Sequence, residues 1–203
     1  MNIVLLGIDG AGKSSIATEL KNVLELRDYN VDIVPFHKWI IADKIRDSLG
    51  IGRLIDRDRK NREQVYKPKK KSLSAFIKPP VALIDNVIYF LLIKSWKKNN
   101  VVIFDRFISA TQIKLTSLNY CTKWLKPIWW NLSMKNTFVL DIDVCESLKT
   151  QEMRNDEYLY EEDGLSKERE LYINLAKDHH FTLIDNRISI NYTINQILKK
   201  LSL

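Results

Sequence analysis

The chain reads as an α/β protein: a five-stranded parallel sheet in the order 2-3-1-4-5, sandwiched between helices on both faces. Three observations predict this. Short apolar runs alternate with amphipathic stretches along the whole length, the pattern of strand–helix–strand units. The first run, Ile3-Val4-Leu5-Leu6, opens directly into Gly7-Ile8-Asp9-Gly10-Ala11-Gly12-Lys13-Ser14, a glycine-rich loop with a helical pattern behind it. A later run, Val101-Val102-Ile103-Phe104, ends on Asp105-Arg106-Phe107. That places a carboxylate and a guanidinium at the C-terminal edge of a buried strand, where open α/β sheets bind their ligands.

The elements follow in order. Asn2–Leu6 is the first strand, and Ile16, Leu20, Val23 and Leu24 give the next helix its apolar face. Val31–Pro35 reads as strand two, followed by a helix near Ile40–Leu49. Pro79-Pro80 is expected to open a helix with Leu83, Ile84, Val87, Ile88, Leu91 and Leu92 on one broad face. Val101–Phe104, Thr137–Ile142 and Phe181–Ile184 supply strands three to five, with helices near 144–153 and 164–178 between the last two. The stretch 112–133, carrying Trp124, Trp129 and Trp130, reads as a helix packed on the domain or on a partner. Ile194, Ile197, Leu198 and Leu201 mark a closing helix.

At 203 residues and 45% hydrophobic composition, one domain spanning 1–203 is the expectation, since neither an internal repeat nor a linker divides the sequence. Cys121 and Cys145 stand apart, with no C-x-x-C spacing and no histidine cluster. They suggest neither a zinc site nor a disulfide framework, and fit a reducing cytoplasm. The first apolar run has the form of a short strand, not of a signal peptide. The longest apolar stretch, Val81 to Trp96, is interrupted by Asp85, Asn86 and Lys94. It reads as too short and too polar for a bilayer, and so as a buried helix.

The net charge of +7 is concentrated. Residues 44–71 hold eleven lysines and arginines against four acids, an excess of seven. Such a block is most simply a solvated loop or lid, here bounded at about 44–78, with polyanion contact as a second use. Aromatic stacking platforms are sparse there, which disfavours specific nucleic-acid binding.

The glycine loop is G-x-x-x-x-G-K-S in the context that motif needs, a strand before and a helix after. Glycines let successive backbone N–H groups point into one concavity, and the following helix adds its positive end. Gly7, Gly10, Ala11, Gly12, Lys13, Ser14 and Ser15 are therefore the expected ATP-binding set. Lys13, taken as a surface charge aimed at the ligand, can reach the β- and γ-phosphates, and the Ser14 hydroxyl can ligate Mg²⁺. Asp105 is the acidic partner for the same ion, so strands one and three are expected to be neighbours. Arg106 offers a planar fork suited to a phosphate. No N-K-x-D motif follows a strand, which argues against a guanine-nucleotide switch.

The loop G-I-D-G-A-G-K-S-S resembles that of the thymidylate kinase family, and Asp105-Arg106-Phe107 matches that family's Asp-Arg-aromatic triplet. Phe138 to Asp143 is similar to the family's fourth strand, and Leu165 to Ala176 to the helix closing its lid, here about 149–164. The resemblance implies ATP- and Mg²⁺-dependent phosphoryl transfer to a nucleoside monophosphate, dTMP above all, by a helix-packed homodimer; with the cysteine pattern and the interrupted apolar stretch, a cytoplasmic protein that contacts no membrane is expected. It implies that Asp9 touches the acceptor's sugar, Phe107 packs near that sugar, and Arg106 holds the acceptor phosphate. Because the loop carries Ala11 and not an arginine, the lid must supply one, and Arg154 is the candidate. Two departures stand out. Val34-Pro35-Phe36-His37-Lys38 replaces the family's charged-proline motif, leaving Arg46 as a second acceptor contact. The stretch Val81–Tyr89 lacks the arginine that reads thymine. Two alternatives follow: a related enzyme acting on another phosphorylated or hydroxyl acceptor, and a nucleotide-dependent binding or regulatory module.

Overall fold

The structure is a computed structural model that describes residues 1–36, 63–64, 73–96, 100–153, 159–160 and 162–203. The expected helix near Ile40–Leu49, His37, Lys38, Arg46, Arg154 and most of the basic segment lie outside the described residues.

Five strands form an all-parallel sheet: β1 (Asn2–Leu6), β2 (Val31–Pro35), β4 (Val101–Asp105), β5 (Thr137–Asp141) and β7 (Thr182–Asp185). Their order is β2-β4-β1-β5-β7, which among these five is the predicted 2-3-1-4-5. The register aligns the ligand edge: Leu5 and Pro35 both lie opposite Asp105, and Asp141 lies opposite Asp185. A pair of two-residue strands, β3 (Glu63–Gln64) and β6 (Leu159–Tyr160), runs parallel in a separate small sheet. Sequence reading finds no strand in the basic segment, because two residues carry too little periodicity to register.

The core is built on β1, whose residues Ile3 to Leu6 are wholly buried. Helix α1 (Lys13–Glu25) lays Ile16, Ala17, Leu20 and Leu24 against the sheet, one face of a 3.6-residue period. Next come α2 (Leu73–Trp96), α3 (Ile108–Ser117), a 3₁₀ turn at Lys123–Leu125 and α4 (Lys126–Asn131). The last three are α5 (Val144–Met153), α6 (Glu162–His179) and α7 (Ile190–Leu201). Ser189 caps α7 by accepting a hydrogen bond from the Tyr192 amide at 3.1 Å. The expected single helix through 112–133 is thus three pieces, in which Trp129 is buried and Trp124 is exposed.

Helix α2 departs from expectation in two ways. It begins at Leu73, so Pro79 and Pro80 sit inside it and remove the N–H groups that would bond the carbonyls of Ala75 and Phe76. Its buried face is also rotated: Asp85 and Asn86 are buried, while Ile84 and Leu91 are each 56% exposed. A stretch this uniformly apolar has no polar stripe from which the inward direction could be read. The window Phe76–Ile93 has a mean hydropathy of 1.7 over 18 residues, long and apolar enough to cross a membrane by length and composition. The reading as too short and too polar is therefore corrected. So is the reading as a buried helix, since only a third of that window is buried.

Candidate active site

The glycine loop is wedged between the end of β5 and the start of α5. A Cβ on Gly7, at φ 143°, would stand 2.5 Å from the Leu140 carbonyl oxygen; one on Gly10, at φ 83°, would stand 2.7 Å from that of Ser147. Both positions demand glycine by space and by backbone angle. Gly12 is the N-cap of α1, with no side-chain cap bond and no acidic residue in the first turn. The helix start is thereby left to an anionic ligand. Ser14 and Ser15 are exposed at that start, and Ala11 is buried beneath it. Asn186, in the turn after β7, braces the loop by donating from Nδ2 to the Ala11 carbonyl at 2.8 Å, and its Oδ1 accepts from Thr193 at 2.6 Å.

Lys13 is not the surface charge expected. It is 5% exposed, and its Nζ donates to the Ile8 carbonyl at 2.7 Å, folded back across its own loop. The loop's carbonyls offer the ammonium a partner inside the concavity that a phosphate would otherwise fill.

Ser14 Oγ donates to Asp105 Oδ2 at 2.6 Å, across the neighbouring strands β1 and β4. The other oxygen, Asp105 Oδ1, is buried with no hydrogen-bond partner. A buried carboxylate oxygen without a donor suits a cation, and a hydroxyl plus one carboxylate suits Mg²⁺, which keeps several of its waters. The residues therefore fit that ion. Among the described residues no cluster of three or more His, Cys, Asp or Glu offers a fuller protein cage.

Asp9 is held from several sides. Its backbone carbonyl accepts from Ser147 Oγ and from Gln151 Nε2, the latter at 3.2 Å; both residues are wholly buried on α5. Its carboxylate pairs through Oδ1 with Arg106 and lies 3.8 Å through Oδ2 from Lys114 Nζ. Lys114 in turn meets the buried Glu168 of α6 at 2.8 Å, and Ser117 Oγ donates to the same carboxylate oxygen at 3.1 Å. Burial lowers the Lys114 pKa to about 8 against the upward pull of Glu168. Tyr172, one turn further along α6, is wholly buried and its pKa is raised by desolvation.

Phe107 needs a correction. Its ring is 2% exposed and packs against Phe36, Phe90 and Phe104 at 5.1–5.5 Å between centroids. It belongs to the core beneath the site and offers no surface to an acceptor's sugar. An aromatic side chain following an outward-turned arginine is driven inward by its own apolar area.

A second set of charges borders the phosphate loop on the β5–β7 side. Arg169 of α6 bonds Asp141 through Nε at 2.6 Å and Nη2 at 2.9 Å, and Asp143 through Nη1 at 3.0 Å. Arg187 bonds Asp143 at 2.8 Å and both oxygens of Asp185, at 2.8 and 2.6 Å. The hydrogen bonds from Arg187 hold the Asp185 pKa down to about 2 and lower that of Asp143 as well. Arg169, Arg187, Asn186, Ser147, Gln151, Lys114 and Glu168 were missed in the sequence. Only Asp141 and Asp185, acids ending apolar runs, carry a local signal of the edge they occupy.

No family model matches the chain. It is 25% identical to "Probable thymidylate kinase 1" of Saccharolobus solfataricus, over 97% of this chain and 94% of that one. It is also 25% identical to "Probable thymidylate kinase" of Sulfurisphaera tokodaii, over 88% and 84% of the two chains. A solved structure of deoxyadenosine kinase from M. mycoides, with dCMP and a flexible dCDP bound, aligns over 100% of this chain and 99% of that one. The TM-score is 0.63 at 19% identity, a likeness of fold. The chain thus resembles thymidylate kinases over nearly its whole length, on the fold of a phosphate-loop nucleoside kinase.

Proposed function

We propose that the protein is an ATP- and Mg²⁺-dependent kinase that phosphorylates a nucleoside monophosphate, with dTMP, converted to dTDP, as the leading acceptor. The Ser14–Asp105 hydrogen bond carries this reading: it joins the phosphate loop to the second sheet-edge carboxylate beside the Asp9–Arg106 pair. The end-to-end similarity to thymidylate kinases supports it.

The residues divide the work. The loop amides and Lys13 hold the donor's β- and γ-phosphates, Lys13 exchanging its bond to the Ile8 carbonyl for one to phosphate. Ser14 and Asp105 would hold Mg²⁺, which when bound neutralises charge on the transferring group. Arg106, with the part of its fork that Asp9 leaves unengaged, orients the acceptor's phosphate so that one of its oxygens faces the γ-phosphorus in line. That oxygen bonds to phosphorus as the bond to the β–γ bridging oxygen breaks, and ADP leaves with the electron pair. Such catalysis is positioning and charge stabilisation, with no covalent work for the protein. Arg154 and Arg46 are proposed as the lid arginine and a second acceptor contact.

We also propose a cytoplasmic homodimer. Ile77, Val81, Ile84, Ile88 and Leu91 of α2 recur every three and four residues, and the outer three of that row, Ile77, Ile84 and Leu91, are more than half exposed. Such a seam is satisfied by the same helix of a second copy. The buried Asp85 on the helix's other face argues for this over a lipid surface.

One observation favours a different acceptor base. Where the thymine-reading arginine is wanting, α2 buries Asp85 and Asn86, and Asn86 Nδ2 has no hydrogen-bond partner. An amide so placed is suited to a base edge but not restricted to thymine. ATP turnover across dTMP, dUMP, dCMP, dAMP and dGMP tests both readings. We expect dTMP and dUMP to be turned over within about a hundredfold of each other in kcat/KM, the range a methyl group supplies in an apolar pocket. Rapid phosphorylation of another base with both of these inert moves the assignment to the second acceptor class. No turnover of any acceptor leaves the binding-module reading.

A further inference from the structure

Lys114 takes no part in the chemistry above, yet its ammonium is placed as though the acceptor side depended on it. The stem is 28% exposed, but Nζ is sealed from solvent. It sits between two carboxylates, 2.8 Å from Glu168 Oε1 and 3.8 Å from Asp9 Oδ2. Asp9 Oδ1, the other oxygen of that carboxylate, belongs to Arg106. The two oxygens of Asp9 are therefore divided between two cations on different elements.

We propose that Lys114, steadied by Glu168, is a positioning residue that sets where Arg106 points and so how tightly the acceptor's phosphate binds; this rests on the kinase reading above. A carboxylate and a guanidinium left to themselves pair bidentately, both oxygens engaged. Lys114 draws Oδ2 away, so that Arg106 holds Asp9 by one oxygen and keeps part of its fork for a phosphate. Glu168 tempers this, because Lys114 lies closer to Glu168 than to Asp9 and does not capture the Asp9 carboxylate outright. Glu168 stands on α6, and Ser117 of α3 donates to it, so the pair also ties α3 to α6 behind the acceptor site. The tether acts on a residue whose backbone has φ 74°, the left-handed region that non-glycine residues rarely adopt.

The test measures binding of deoxynucleoside monophosphate and of a non-hydrolysable ATP analogue by calorimetry, with melting temperature alongside, in the full-length protein. Lys114→Met is expected to weaken monophosphate binding at least about tenfold, leave the ATP analogue within about twofold, and lower the melting temperature because the buried Glu168 loses the ammonium 2.8 Å from it. Lys114→Arg is expected to restore most of the monophosphate affinity. In the double variant Lys114→Met/Glu168→Leu the buried pair becomes apolar; the melting temperature should recover while monophosphate binding stays weak. Recovery of both would make the lysine a purely structural partner and overturn the proposal, as would equal weakening of both nucleotides in Lys114→Met. A wild-type protein that binds the ATP analogue but no monophosphate overturns the kinase reading itself, and this inference with it.

Discussion

Arg106 reaches Asp9 from a left-handed backbone: it pairs with the loop carboxylate at φ 74°, at the turn between β4 and α3. Its amide donates to the Leu5 carbonyl at 3.0 Å, which pins the turn to the strand that carries the phosphate loop. A non-glycine residue in that region costs about 1–2 kcal/mol, and such strain persists where the surroundings hold it for function.

Separating the strain from the chemistry needs two substitutions. Arg106→Ala keeps the strain and loses the fork; Arg106→Gly loses both. Each should weaken acceptor binding by about 1.5–3 kcal/mol with little change for ATP, as expected for a charge-assisted, bidentate phosphate contact. The glycine variant should melt above the alanine variant, because glycine accepts a positive φ without penalty. Equal losses for the two nucleotides would place Arg106 on the wrong substrate. A glycine variant melting below the alanine one would refute the strain.

Lys13 makes a second case. Its ammonium is buried against the Ile8 carbonyl, so Lys13→Ala removes a loop-closing hydrogen bond as well as the phosphate contact. Turnover is expected to fall at least about a hundredfold, in line with the loss of one preorganised charge at a phosphoryl-transfer site. The bond to the Ile8 carbonyl, from a charged donor, is worth about 1.5–3 kcal/mol of stability, so the variant should also melt lower. Near-normal turnover in this variant, followed by a coupled ADP assay, would end the kinase reading.

What the sequence made legible was whatever short-range pattern encodes. The glycine loop and the strand ending on Asp105 could be read from spacing, and the adjacency of their two strands from the need to bring Ser14 near Asp105. What it hid was set by tertiary geometry. Ser147 and Gln151 are ordinary polar residues on an ordinary helix until α5 is packed against the loop, where both bond the Asp9 carbonyl 138 and 142 residues away. Lys114 and Glu168 are 54 positions apart and meet only because α3 lies on α6. Phe107 shows the reverse error: a residue beside a functional pair was read as functional, yet its ring completes an aromatic core. The facing of α2 failed for a related reason, since hydropathy alone carries no direction when nearly every position is apolar.

The seam on α2 yields a direct test of assembly. Ile84→Glu combined with Leu91→Glu places two carboxylates on residues that are each 56% exposed, so the fold has little reason to change. If a second copy covers this face, the double variant should be monomeric by analytical ultracentrifugation where the wild type is a dimer, with circular dichroism preserved. Charge at the core of such an interface is desolvated without a partner and costs several kcal/mol. A wild type already monomeric at micromolar concentration would remove the dimer, and co-sedimentation with lipid vesicles, lost in the double variant, would assign the face to a membrane instead.

The Arg187–Asp185–Asp143 cluster predicts an acid response with a definite sign. Hydrogen bonds from Arg187 hold the Asp185 pKa down to about 2, from a usual 3.8. A carboxylate whose folded pKa is depressed stabilises the fold fully above its unfolded value, and that contribution is lost as pH falls toward the folded one. For Asp185 the window therefore runs from about pH 4 down to about pH 2. Both partners are more than a third exposed, so salt screens the effect and its size in stability should be small at physiological ionic strength. The sharper measurement is the pKa itself. In Arg187→Ala, the Asp185 carboxyl followed by ¹³C chemical shift should titrate well above pH 2, and the acid limb of the melting-temperature profile should start lower at pH 4 and fall less steeply between pH 4 and 2. An Asp185 that still titrates near pH 2 without the arginine would show that another donor holds it. The amide of residue 187, which donates to Asp185 Oδ1 at 3.0 Å and survives the substitution, keeps part of the depression in the variant.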